Sequence, residues 1–570
     1  MQPRRHEYRP LRPIGPGVSR AMLATLLAWI AAASVAFEHG FATPALPALV
    51  HSLLYLIMPW GAMVIWRDVL WNRPPGPRWP LSFGRVGEPM LLIAAVAELT
   101  GVPGVAEATA AAFGLAFAIR LNGVFARYTN RPALLFPLSF VMLISVSACL
   151  LKLPAATPPD APISWIDAIF TATSASCVTG LGVRDTATGF TFFGQTVILG
   201  AIQIGGLGVM IFGSTLALLV GARVSFREQI SLSVAMDQYP PQRIARFTLF
   251  IVLTTLSLEA IGATILFLTW PGEAVAWDTR LWLAVFHSIS AFCNAGFDIT
   301  GESMIGLRSS PALFLAITPM IILGGIGFIV LEDASGWLRN RLTGKRKPVR
   351  LSTHSRIVLV TSAILLGAGA LGIFLVEVIG HHGPIPQAAL DSVFMSTTAR
   401  TAGFTSVPME ELEAGSRFIL MVLMMIGGSP GSTAGGMRTV VFALLVLAVV
   451  STIRNRPEVE AFGRALPDEL VKRAATVAAG LLGVIAGAVL LLDITESMPF
   501  EPLFFEVISA STTTGLSLGA TAELSDAGRV IITITMFLGR VGALSLLSAL
   551  LSTQRPHATY QYPRDTVSLG

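Results

Sequence analysis

Four short segments of this 570-residue chain end in a glycine followed by a large apolar residue. They are Val178-Thr179-Gly180-Leu181, Asn294-Ala295-Gly296-Phe297, Thr401-Ala402-Gly403-Phe404 and Thr513-Thr514-Gly515-Leu516. Their chemistry belongs to the main chain. An alkali cation that sheds its water inside a membrane needs a cage of oxygens, and carbonyls from several segments supply one without placing full charges in low dielectric. Glycine makes the cage possible, because it reaches backbone angles that side chains disfavour and so lets successive carbonyls aim at one axis. A short helix before each segment would turn its partly negative C-terminal end, worth about half an elementary charge, toward the same axis. One copy alone reads equally as a loop or a close helix contact. Four copies in equivalent places point to one shared site.

The elements that must position these segments follow from their spacing. The glycines are 116, 107 and 112 residues apart, which marks four copies of one supersecondary unit. Apolar residues make up 53% of the chain and charged residues 13%, and the mean hydropathy is +0.70. Such a chain cannot hide its apolar surface in a water-soluble core, so it is expected to be an integral membrane protein. About ten apolar stretches are long enough to cross roughly 30 Å of hydrocarbon as helices. Alternating strand signals are absent, which predicts an all-α membrane protein and not a barrel.

The net charge is +5, and its distribution sets topology. Basic clusters at 4–20, 67–85, 120–131, 223–246, 339–356 and 454–473 are expected on the cytoplasmic side. They divide the chain into a cytoplasmic arm (1–20), additional N-terminal transmembrane helices (21–130), pore repeats at 131–222, 223–340, 341–455 and 456–556, and a cytoplasmic tail (557–570). Both termini are thus cytoplasmic. Each repeat reads as helix, re-entrant pore helix with extended filter, helix, around one pseudo-fourfold pore. First spans are expected near 132–151, 247–270, 357–379 and 474–492, and second spans near 191–219, 311–331, 418–451 and 527–551. The stretch 90–119, broken by Gly101-Val102-Pro103-Gly104, reads as two short spans or an interfacial excursion.

The second spans carry Ile204-Gly205-Gly206-Leu207-Gly208, Leu323-Gly324-Gly325-Ile326-Gly327, Ile426-Gly427-Gly428-Ser429-Pro430-Gly431 and Leu538-Gly539-Arg540-Val541-Gly542. Arg540 stands where the other copies have a small residue. A charge at mid-membrane depth costs about 2.5–3.5 kcal/mol, so Arg540 is expected to face the pore or a polar partner. The partner is the third second span. Its connection Gly427-Gly428-Ser429-Pro430-Gly431-Ser432-Thr433-Ala434-Gly435-Gly436 holds five glycines and a proline and cannot continue a helix. Irregular backbone at this depth lines a cavity or is buried in protein. An intramembrane gate is expected, with loop carbonyls and the hydroxyls of Ser429, Ser432 and Thr433 bonding Arg540. A cytoplasmic turn between two half-spans is the alternative.

Other residues limit the function classes. Cys149, Cys177 and Cys293 read as reduced packing residues, and His381-His382 as a solvated loop pair. Glu259 and Glu377 are candidates for proton coupling, although Glu377 lies near the external end and is expected to be solvated. Asp167 and Glu506 fall in the short helices. Neither paired carboxylates, nor a nucleophile with its base, nor metal-ligand spacing marks a membrane face, and a phosphate-binding loop is missing, so an enzyme is not expected. No nucleic-acid partner is expected, because the basic residues join apolar spans.

The segments Ala175-Ser176-Cys177-Val178-Thr179-Gly180-Leu181, Ala291-Phe292-Cys293-Asn294-Ala295-Gly296-Phe297, Ala399-Arg400-Thr401-Ala402-Gly403-Phe404 and Gly515-Leu516-Ser517-Leu518-Gly519, in this order, resemble the Trk/Ktr/HKT superfamily of potassium transporters, bacterial membrane-subunit type. The resemblance covers about 132–552. It implies a filter that binds K+ at the four glycines and the residue before each, with Gly180, where a serine goes with sodium permeation, implying potassium preference. It implies a gating loop and a basic residue at 427–436 and Arg540. It also implies a homodimer in the bacterial cytoplasmic membrane, working on a separate cytoplasmic nucleotide-binding ring, with no cofactor besides the transported K+. Loops 221–246, 332–356 and 451–473 offer that ring a surface. A proton- or sodium-coupled secondary cation transporter is the alternative function.

Overall fold

The computed structural model describes residues 135–208, 244–271, 276–342, 351–380 and 384–542. The arm, the helices expected within 21–130, the tail, His381-His382 and the basic run 343–350 lie outside the described residues.

One order of elements recurs. In the first unit, α1 (Leu135–Leu151) leads to a short helix α2 (Trp165–Cys177), a turn at Gly180, and α3 (Phe192–Leu207). The second has α4 (Ile244–Thr269), α5 (Trp277–Cys293), then α6 (Thr318–Ile326) and α7 (Phe328–Leu342). The third has α8 (Thr353–Ile379), α9 (Ile385–Thr398), α10 (Ala414–Ile426) and α11 (Thr439–Ile453). The fourth has α12 (Asp468–Thr495), α13 (Phe500–Thr512) and α14 (Asp526–Val541). Among the described residues α4, α8 and α12 are each long and apolar enough to cross a bilayer.

Local chemistry starts these helices. Ser164 accepts from the Asp167 amide at the head of α2, and Thr191, Ser352 and Ser525 cap α3, α8 and α14 in the same way. Each cap satisfies an amide that the first turn leaves without a partner. The short helices are buried toward their C-terminal ends, with Phe170, Phe292, Phe394 and Phe505 in one core.

Polar contacts join the units in a single sense, from the stretch leading to or forming the second helix of one to the short helix of the next. Trp282 Nε1 donates to Gln195 Oε1 at 2.9 Å. Arg308 Nε donates to Asp391 at 2.8 Å, Arg417 pairs with Glu501 at 3.0 Å, and Arg529 closes the circuit on Asp167 at 2.9 Å.

Three expectations are corrected. The span expected at 311–331 is broken: a π-helical turn (Leu313–Ile317) feeds α6, and α7 departs at 103° after Gly327. Gly327 has φ +101°, and the Phe328 amide is taken by the Gly431 carbonyl. Strand is not wholly absent, since Val459–Ala461 and Arg464–Leu466 pair as a hairpin, whose turn residues Phe462 and Gly463 both have positive φ. Glu377 is not solvated but buried, accepting the Glu413 amide at 3.2 Å. That bond replaces the water the carboxylate gives up.

A candidate ion site at four glycine turns

Three of the short helices end in a residue of left-handed conformation two positions before the glycine. These are Val178 (φ 59°), Asn294 (φ 58°) and Thr513 (φ 50°), and Thr401 (φ 75°) occupies the same position in the third unit. The following amides reach back: Thr179 N to Ser174 O at 2.8 Å, Ala295 N to Ser290 O at 2.8 Å, and Thr514 N to Ser509 O at 2.9 Å. This six-to-one closure satisfies terminal helix carbonyls. It also holds the β-branched Val178 and Thr513, as a five-to-one bond from Ala402 N to Thr398 O at 2.8 Å holds Thr401, at angles that cost about 1–3 kcal/mol each, a strain typical of functional sites.

The four glycines are left-handed as well, with φ of 95°, 69°, 80° and 94° in chain order. Alternating handedness across three residues turns successive carbonyls to one side while the amides face back to the helix. Gly180 N bonds Ser174 Oγ at 3.1 Å and Gly515 N bonds Ser509 Oγ at 3.0 Å. In the second unit Ser290 Oγ instead donates to Phe297 O at 2.7 Å.

The turns meet. A methyl group added at Gly180 would lie 2.4 Å from the Ala295 carbonyl oxygen, and one at Gly296 would lie 2.9 Å from that of Ala402. At Gly403 it would meet Thr514 O at 2.5 Å, and at Gly515 it would meet Thr179 O at 2.2 Å. Each glycine therefore faces the carbonyl preceding the next glycine, and the series closes on itself. Among the described residues none of these four carbonyls accepts a hydrogen bond. The hydroxyls of Thr179, Thr401 and Thr513 are buried and likewise without a partner. Leu181, Phe297, Phe404 and Leu516 are buried behind the turns. An all-oxygen set of carbonyls and hydroxyls is the donor chemistry of a hard monovalent cation, not of a transition metal.

The loop from Gly427 to Gly436 packs against the same assembly. Its neck is pinched by Gly428 N to Gly435 O at 3.2 Å and Arg438 N to Ile426 O at 2.8 Å. Ser429 N donates to Gly325 O at 3.0 Å, and Thr433 Oγ1 to Phe292 O at 3.2 Å and Gly324 O at 3.1 Å. Gly435 lies against Thr512 O and Thr513 Oγ1, where a Cβ would come within 2.5 Å and 2.2 Å. The loop thus touches the second and fourth units at the inner ends of their short helices.

Arg540 reaches it from α14. Nη1 donates to Thr433 O and Nη2 to Gly205 O at 2.9 Å. The expected hydroxyl partners are corrected: Ser432 Oγ donates to Ser429 O, Ser429 Oγ accepts from Thr439, and Thr433 Oγ1 is taken as above. Short hydroxyls close local turns more easily than they reach across a cavity, so the guanidinium is left with main-chain oxygen.

Sequence reasoning missed two supports. A hydroxyl stands six residues before every glycine, at Ser174, Ser290, Thr397 and Ser509, and only the register of the four copies could have revealed it. Gly205, Gly324 and Gly539 let the second helices approach the short helices, since a Cβ there would sit 2.0 Å, 1.9 Å and 2.3 Å from Ser176 O, Phe292 O and Ser511 O. Glu259, a coupling candidate, is buried and accepts from Gln203 Nε2 at 3.2 Å.

Residues 139–556 match the family model described as TrkH, cation transport protein. The chain is 33% identical to the potassium/sodium uptake protein NtpJ of Enterococcus hirae over 447 residues, 77% of this chain and 97% of that one. It is 34% identical to the Ktr system potassium uptake protein B of Bacillus subtilis, over 77% and 97% of the two chains. The crystal structure of the potassium transporter TrkH from Vibrio parahaemolyticus superposes with a TM-score of 0.60 at 18% identity, covering 94% of this chain and 98% of that one.

Proposed function

The chain belongs to the TrkH cation transport protein family, a family of transporters and not of enzymes, and from that premise we propose potassium-selective uptake across the cytoplasmic membrane through a carbonyl-lined filter gated by an intramembrane loop. The observation that carries this reading is the closed series of glycine-to-carbonyl approaches from Gly180 through Gly296 and Gly403 to Gly515. Carbonyls of Thr179, Ala295, Ala402 and Thr514 replace hydration water around K+, and the short helices add their negative ends to the field. K+ is the cargo, held at the glycines and the residue before each.

The loop 427–436 is the gate beneath that filter. Arg540, fixed to Thr433 and Gly205, adds a positive charge on the pathway. At about 8 Å with an effective dielectric near 20 it raises the barrier to a passing cation by roughly 2 kcal/mol. Residues 131–222, 223–340, 341–455 and 456–556 form the pore repeats. A homodimer working on a cytoplasmic nucleotide-binding ring completes the reading, with both termini on the cytoplasmic side.

Ion flux into vesicles holding the purified protein tests it, with K+, Rb+, Na+ and Li+ compared for wild type and Gly180→Ser. K+ and Rb+ ahead of Na+, with Na+ gaining in the variant, is the expected order. Equal passage of Na+ and K+ in the wild type sinks the filter. Buried Glu259, beside Gln203 and Cys293, favours a proton- or sodium-coupled second reading, which requires uptake that follows the proton or sodium gradient at clamped voltage.

A further inference from the structure

A buried arginine lies at the inner end of the site. Arg400 stands three residues before Gly403 and directly before the left-handed Thr401. The equivalent places in the other units hold Cys177, Cys293 and Thr512, all small or neutral. Arg400 is 7% exposed, and among the described residues it makes no ion pair. Its Nη2 donates to Ser362 Oγ on α8 at 2.9 Å, and its Nε to the carbonyl of Gly427 at 3.4 Å.

Gly427 is the place where α10 stops. Its φ of 69° and ψ of −152° belong to glycine alone, and a Cβ there would lie 2.2 Å from Gly435 O across the neck of the loop. Gly427 lies 24 residues after its filter glycine, as Gly539 does, yet α14 runs on to Val541. The third helix therefore ends earlier than its counterpart, at the carbonyl Arg400 holds. A buried, unpaired guanidinium is costly and needs a compensating task.

We propose that Arg400 is a positioning residue that latches the neck of the 427–436 loop to the third glycine turn, so that the loop leaves the pathway only when this side chain releases Gly427. The inference rests on reading the loop as a gate. Arg540 holds the loop at its middle from the fourth unit, whereas Arg400 holds it at its root from the third. One side chain thereby ties the filter turn, the gate neck and α8 together. A neutral side chain at 400 would leave the Gly427 carbonyl without this donor and free the neck to swing. The filter carbonyls, which Arg400 does not touch, would keep their geometry.

The test is basal K+ flux in vesicles holding the full chain without any regulatory partner. Arg400→Gln is expected to raise it several-fold with the order of K+, Rb+ and Na+ unchanged, and Arg400→Lys, which reaches only one acceptor, to raise it less. Arg540→Ala serves as the reference. Flux raised by Arg540→Ala but unchanged in Arg400→Gln overturns the latch and leaves the gate standing. Flux unchanged in Arg540→Ala overturns the gate reading and the latch with it. A changed ion order in Arg400→Gln also overturns the latch, since it would make the residue a prop of the filter. If Arg400→Gln is not recovered folded, Arg400→Lys and Ser362→Ala decide, and wild-type flux in both overturns the proposal.

Discussion

Arg540 Nη2 donates to the carbonyl of Gly205 at 2.9 Å, joining residues 335 positions apart in the chain. Gly205 sits against Ser176 O at the end of α2, and the other arm of the guanidinium holds Thr433. One side chain therefore bridges the first unit, the fourth unit and the loop of the third, all within reach of the glycine turns. Its bonds go to main-chain oxygen, so the positive charge is held in place but not cancelled.

Removing that charge is expected to speed passage. Arg540→Ala should raise K+ flux, with about 30-fold as the ceiling set by a barrier of roughly 2 kcal/mol. Arg540→Lys should stay nearer wild type. Vesicle flux at fixed voltage measures both.

At the glycine turns any side chain should be punished twice, by positive φ and by a neighbouring carbonyl. Gly403→Ala places its methyl 2.5 Å from Thr514 O. Loss of K+ over Na+ discrimination by tenfold or more is expected, read from reversal potentials or paired tracer fluxes. Wild-type selectivity in this variant would contradict the ring.

The circuit of polar contacts should be a stability device. Asp167 is buried and pairs with Arg529, so Asp167→Ala is expected to cost roughly 1–3 kcal/mol by removing the buried carboxylate that a partly buried guanidinium bonds at 2.9 Å. Asp526, with 72% of its side chain exposed and only 3.6 Å from the same arginine, should cost under about 0.5 kcal/mol when replaced by Ala. Thermal unfolding in detergent, followed by tryptophan fluorescence, compares the two.

Helix glycines should divide by what lies opposite. Gly205→Ala puts a methyl 2.0 Å from Ser176 O, whereas nothing lies within 4 Å of a Cβ at Gly200 on the same helix. The first substitution is expected to lower folded yield sharply. The second should stabilise α3 by about 0.5–1 kcal/mol, the usual gain of Ala over Gly within a helix. Yield and melting temperature of the two variants check this.

What the sequence determined by itself is local and periodic. Apolar composition set the solvent, the glycine period set four units, and the run Gly427–Gly436 broke a helix because glycine and proline cannot sustain one. Charge in an apolar stretch marked Arg540. Each of these is written within a window of a few dozen residues, where propensity and hydropathy act. The break after Gly327 was not legible, since glycines recur in every second span and the direction of the bend depends on the Gly431 carbonyl reaching the Phe328 amide. A loop carbonyl was expected on Arg540 and Thr433 supplies it, but the absence of hydroxyl partners, the second bond to the Gly205 carbonyl and the bond of Arg400 to Gly427 were not legible. Only the packing of four units against one another decided which oxygen each guanidinium meets and that the series from Gly180 to Gly515 closes, because those contacts join residues more than a hundred positions apart and no local periodicity encodes them.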